Sequence, residues 1–94
     1  LARKNDNLVL LNSRARFPDR RVFLGRARLL PDRLLFTGLG YSRTILMDDI
    51  HGVGWSGGVV TLELQDGEIV DFEVKAPGSW KFAIQNQCGM NGSL

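Results

Sequence analysis

Val59-Val60-Thr61-Leu62-Glu63-Leu64-Gln65-Asp66-Gly67-Glu68-Ile69-Val70-Asp71-Phe72-Glu73-Val74, residues 59–74, is the stretch that decides the fold. Val60, Leu62 and Leu64 alternate with Val59, Thr61 and Glu63; Val70, Phe72 and Val74 alternate with Ile69, Asp71 and Glu73. A period of two sends one set inward and the other toward water, as half-buried strands do. Asp66-Gly67 lies between the runs, and the tight turn it favours needs a positive φ that glycine adopts without strain. The segment predicts a β-hairpin.

Downstream the period changes. Trp80, Ala83, Ile84, Gln87 and Cys88 recur at helical spacing and share one side of a helix that Pro77 or Ser79 starts and Gly89 stops. Upstream, Phe23, Gly25, Ala27 and Leu29 are expected on one face of a strand with Arg26 and Arg28 on the other. Pro31-Asp32 turns the chain into a return strand through Leu34 and Phe36, and Gly38 and Gly40 mark the next turn. Ile45 and Met47 then face the core, Asp48-Asp49 interrupts, and Ile50, Val53 and Trp55 continue the spacing up to the Ser56-Gly57-Gly58 turn. Leu8 to Leu11 reads as a short strand, and Asn12 to Arg21, broken by Pro18-Asp19, as a solvated loop. The sum is a mainly β fold, an antiparallel barrel of about six to seven strands capped by one C-terminal α-helix.

The chain has 94 residues, room for one core, and reads as a single domain organised over about residues 8–88 with polar tails at 1–7 and 89–94. An apolar share of 44%, a charged share of 23% and a mean hydropathy of −0.07 fit a globular protein, and no apolar run approaches the length that spans a bilayer. One cysteine, Cys88, excludes an internal disulfide and a zinc site built on several thiolates, and suits a reducing compartment. The net charge of +2 conceals an asymmetry: residues 1–43 carry ten cations against three acids, and residues 44–94 carry two against seven. If the halves occupy different faces, the domain is an electrostatic dipole.

The segment Gly25-Arg26-Ala27-Arg28-Leu29-Leu30-Pro31-Asp32-Arg33-Leu34-Leu35-Phe36, followed by Ile45-Leu46-Met47-Asp48-Asp49-Ile50-His51-Gly52-Val53, two further strands and a final helix, resembles the pleckstrin-homology-like (PH-like) superfamily, and within it the GRAM and bacterial PH-like domains. The likeness spans roughly residues 22–87 and is one of apolar spacing and hairpin order. It implies a small curled β domain closed by a helix, used to bind phosphoinositide head groups, peptides or proteins, or to self-assemble. Arg26, Arg28 and Arg33 match in type the basic residues with which lipid-binding members hold phosphates. The Leu30 to Asp32 turn is too short for a deep pocket, so phosphoinositide specificity does not carry over.

Two groups of cations are candidate sites. Arg26 and Arg28 share a strand face that Arg33 meets across the hairpin, a guanidinium cluster suited to phosphate, carboxylate or lipid, to be weighed against an ordinary solvated face. Arg14, Arg16, Arg20 and Arg21 around Phe17 form a second group, suited to a polyanion. Arg16 and Arg20 also have the Arg-x-x-x-Arg spacing of cyclic-dinucleotide-binding PilZ barrels, but the Asp/Asn-x-Ser-x-x-Gly segment of those barrels is missing. His51 beside Asp48 and Asp49 has no placed nucleophile, and Cys88 falls on the apolar side of the helix. The acids lack calcium-loop spacing. Trp55 is expected to cap one end of the barrel.

The expected protein is a binding or assembly module and not an enzyme, without metal or cofactor. Its expected partner is a protein or a second copy of itself, with an anionic membrane surface as the alternative; nucleic acid and small-molecule substrates are set aside. The expected setting is cytoplasmic. Leu1 to Lys4, apolar then basic, would also suit a chain emerging on the cytosolic side of a removed membrane anchor.

Overall fold

The computed structural model describes residues 8–89; the tails at 1–7 and 90–94, with the Leu1 to Lys4 start, lie outside the described residues. Among the described residues, seven antiparallel strands form a half-barrel followed by one α-helix. They are β1 (Leu11–Phe17), β2 (Val22–Leu29), β3 (Arg33–Gly38), β4 (Tyr41–Leu46), β5 (Ile50–Ser56), β6 (Val59–Leu64) and β7 (Ile69–Val74), and the helix α1 is Pro77–Cys88. The sheet order is β4-β3-β2-β1-β7-β6-β5, so the first and last of the described strands meet at its centre.

The hairpin of residues 59–74 forms as expected. Val60 pairs with Phe72 and Leu62 with Val70, all inward and buried, and Gly67 takes φ +93° in the turn. The curl of the sheet brings distant strands into contact across the core. Phe36 of β3 lies with its ring centroid 4.9 Å from Phe17 of β1 and 4.8 Å from Phe72 of β7, and Phe72 meets Trp80 of α1 edge-on at 5.8 Å. Each ring is wholly or almost wholly buried, so the aromatic row that joins the two halves of the sheet also seats the helix.

Helix α1 starts on Pro77, where the missing N–H costs nothing, and stops at Gly89, whose left-handed conformation lets its N–H bond back to the last turn. It buries Trp80 and Ile84 against the sheet and leaves Phe82 exposed.

Three sequence expectations change. Asn12 to Arg21 is not a loop: all but its last four residues belong to β1, while Leu8, Val9 and Leu10 stay outside the strand and exposed. Ala15 and Phe17 point inward, and the small size of Ser13 and Ala15 hides an alternation that the arginines dominate. Phe23 does not face the core. The pairing of β1 with β2 shifts by one residue between Ala15 and Phe17, because Phe17 pairs with Val22 whereas Ala15 pairs with Gly25. Val22 and Gly25 both face inward, so the two residues between them are turned out, leaving Phe23 55% and Leu24 87% exposed. Trp55, finally, is only half covered: its indole lies over Gly78 of α1, where any Cβ would come within 3.3 Å of the ring.

Candidate binding face

The one-residue shift creates the site. Immediately before it, Arg14 of β1 and Arg26 of β2 are register partners on the outer face, both exposed. Two like charges directly opposite one another disfavour the pairing. Arg26 eases the conflict by donating from Nη1 to Asn12 Oδ1 at 3.0 Å, a neutral partner that leaves both charges in place. Arg16, next on the same face of β1, reaches Glu73 of β7 at 3.6 Å and holds its guanidinium 5.4 Å from the centre of the Phe23 ring. Lys75 follows the end of β7.

Together Arg14, Arg16, Arg26 and Lys75 ring a groove of about 550 Å³ with Phe23 and Leu24 in its wall, and Glu73 is its single acid. Gly25 is essential to this geometry. A Cβ there would stand 2.6 Å from the Phe17 ring and 2.8 Å from the Thr37 carbonyl oxygen, so only glycine lets Phe17 fill the core directly beneath the exposed pair.

The structure regroups the cations that the sequence put forward. Arg28 continues the row on β2, opposite Asn12. Arg33 does not join it, because both prongs of its guanidinium are held by Asp32, at 3.0 and 3.1 Å, and this bond keeps the Asp32 carboxyl below its usual range. Arg20 lies in the 3-10 turn Pro18–Arg20, on the wall of a smaller hollow of about 150 Å³ that it shares with Arg43, Glu68 and Asp71, where acids balance the cations. Arg21 leaves that turn in a left-handed conformation, exposed. The members of the site that sequence reasoning missed are Phe23, Leu24 and Lys75. Phe23 and Leu24 were readable only as an apolar pair that breaks the alternation.

The remaining candidates stand apart from the groove. His51, Asp48 and Asp49 are all exposed. Cys88 packs on Met47, with its Sγ 3.7 Å from the Met47 carbonyl oxygen and 3.6 Å from Sδ, and burial, aided by Asp48, pushes its thiol pKa upward. Among the described residues no group of three His, Cys, Asp or Glu side chains converges on a metal-sized site, and no helix is long and apolar enough to cross a membrane.

Solved structures repeat this architecture. The C-terminal domain of an unknown protein from Leishmania infantum superposes with a TM-score of 0.76 at 12% identity, over 86% of this chain and 84% of that one. Inner membrane complex sub-compartment protein 3 from Toxoplasma gondii superposes with a TM-score of 0.62 at 18% identity, over 86% of this chain and 75% of that one. What is shared is the fold. No family model and no curated protein matches the sequence.

Proposed function

We propose that this chain is a non-enzymatic binding or assembly module on a pleckstrin-homology-like scaffold, which takes an anionic partner on the outer face of β1 and β2. The observation that carries the reading is the Arg14–Arg26 pair. Opposed guanidinium groups weaken a free sheet, and they become favourable when a carboxylate or phosphate bridges them through charge-assisted hydrogen bonds. The exposed Phe23 and Leu24 beside them add apolar surface, and centres of this kind anchor interfaces when ringed by polar groups. A structural neighbour named for the inner membrane complex of its cell fits the assembly reading. The lone, non-disulfide Cys88 suits a reducing, cytoplasmic setting.

Retention on an immobilised polyanion, heparin, tests the reading. The native chain is expected to bind at low salt and elute as salt rises, and Arg14→Glu/Arg26→Glu is expected to pass through. Arg20→Glu/Arg21→Glu, with the same change in net charge, is expected to elute with the native chain. Equal loss in both double variants would reduce the face to general basicity and sink the assignment.

A further inference from the structure

The outer surface of the same sheet carries a second patch of the opposite kind. Ile69 of β7 is 52% exposed and pairs in register with Glu63 of β6, while Asp71 follows on the same face of β7. Thr61 donates to one Asp71 oxygen at 2.7 Å, which fixes that carboxylate outward. Beside them β5 is floored by glycine: Gly52 pairs with Glu63 and Gly54 with Thr61, and a Cβ at Gly54 would meet nothing within 4 Å. The patch is therefore an apolar centre with Glu63 and Asp71 beside it, bordered at the smaller hollow by Arg20 and Arg43, and unwalled on the β5 side, where long side chains of an incoming surface can lie flat.

We propose that these two patches bind each other between copies, so that the Arg14/Arg26 face of one chain, with Phe23 and Leu24, docks on the Glu63/Ile69/Asp71 face of the next. This deepens the reading of an anion-seeking outer face and rests on it, naming a second copy of the chain as the anionic partner. Three features argue for that occupant. The patches are complementary in charge and each has an apolar centre, so opposite potentials meet over desolvated surface. Both lie on the outer surface of one curled sheet, on strands separated by the β1–β7 seam, so a single molecule cannot bring them face to face. The exposed Leu24 and Ile69 are the largest apolar losses to water on their respective strands. The contact joins two different surfaces, so each chain keeps one face free, and growth continues unless the rotation closes a ring.

Sedimentation velocity on the full chain tests the proposal. At low salt the sedimentation coefficient is expected to rise with protein concentration, and to fall back toward the monomer as salt increases. Arg14→Glu/Arg26→Glu and Glu63→Lys/Ile69→Lys are each expected to lose self-affinity by about a hundredfold, because like charges then face each other. Thermal melts of both variants are expected to stay near the native midpoint, since every replaced side chain is solvent-facing. The decisive sample mixes the two variants in equal amounts. The first keeps a working acidic face, and the second a working basic one. The native faces pair as before, and the two altered faces, glutamate against lysine, are opposite in charge as well, so the mixture is expected to regain the self-association that each variant alone has lost.

A native chain that stays monomeric at high concentration and low salt overturns the proposal. If heparin retention still depends on Arg14 and Arg26, the anionic partner is then another molecule and the wider reading stands; if that dependence is also absent, both fall. Self-association that survives both double variants overturns this pair of faces. Binding of the native monomer to vesicles containing phosphatidylserine, without any self-association, would assign the face to a membrane and equally overturn it.

Discussion

Arg43 of β4 and Glu68 of the β6–β7 turn, 25 residues apart, hold each other by two parallel hydrogen bonds of 2.7 Å. Strand β4 is one edge of the sheet, and β7 lies four places along it, so the pair is a clasp across the curl and not a neighbour contact. It forms because the Asp66-Gly67 turn aims the Glu68 carboxylate inward: Asp66 Oδ1 accepts from the Glu68 N–H at 2.9 Å and sets the backbone.

Breaking the clasp should loosen the half-barrel and make stability acid-sensitive. The Arg43 guanidinium holds the Glu68 carboxyl below its ordinary value of about 4.5, so the unfolded chain binds a proton there more readily than the folded one. The contribution is fully present above that ordinary value and is lost as pH falls through the lower folded one. Glu68→Gln is expected to lower the melting temperature by a few degrees at neutral pH and to flatten its decline in acid. Paired melts at pH 7 and pH 3 check this; identical pH dependence in the two proteins would refute it.

Phe36 stands in the middle of the aromatic row, between Phe17 and Phe72. It is wholly buried and packs on Phe17 and Phe72, linking β3 to the opposite side of the sheet. Phe36→Ala should cost about 3–5 kcal/mol, the usual range for removing a buried ring. Urea unfolding read by circular dichroism gives the figure, and a loss below about 1 kcal/mol would show that the aromatic row does not hold the sheet halves together.

Gly25 and Gly58 provide a matched contrast. An alanine Cβ at Gly25 collides with the Phe17 ring and with the Thr37 backbone oxygen, and the latter cannot move without shifting β3. At Gly58 it meets nothing. Gly25→Ala is expected to destabilise by about 1–3 kcal/mol through overpacking, and Gly58→Ala to stay within about 0.5 kcal/mol of native. Denaturant midpoints for the two variants decide it.

Cys88 should be a slow thiol. Its Sγ is packed on Met47, and burial raises its pKa above the ordinary value, so little thiolate exists near neutrality. Iodoacetamide is expected to modify the folded chain well below the rate for the urea-unfolded chain at pH 8, with the gap narrowing as pH rises. Equal rates would mean that the helix end does not shield it.

How much of this was legible beforehand follows from where alternation is clean. The hairpin of residues 59–74 could be read because its apolar residues are large and their alternation unbroken, and α1 because Trp80 and Ile84 recur at helical spacing between Pro77 and Gly89. Strand β1 could not, since Ser13 and Ala15 give its inward face too little apolar weight against four flanking arginines. Phe23 reads wrongly for a different reason: the shift opposite Phe17 reverses the facing of the strand, and locally only the apolar run Val22 to Leu24 marks it. The cation site shared that fate. Its arginines were visible as two separate groups, one on a strand and one in a supposed loop, but its membership depends on which residue of β1 stands opposite which residue of β2. Pairing unites Arg14 with Arg26 and leaves Arg33 with Asp32.

The seating of Trp55 on Gly78 gives the molecule a built-in optical gauge. The chain has two indoles: Trp55, half in water on the sheet rim, and Trp80, buried beneath the helix. A quencher such as acrylamide reaches the first while the fold is intact and the second only after α1 lifts away. Lifetimes resolved during denaturation therefore separate detachment of the helix from collapse of the sheet, without any label attached.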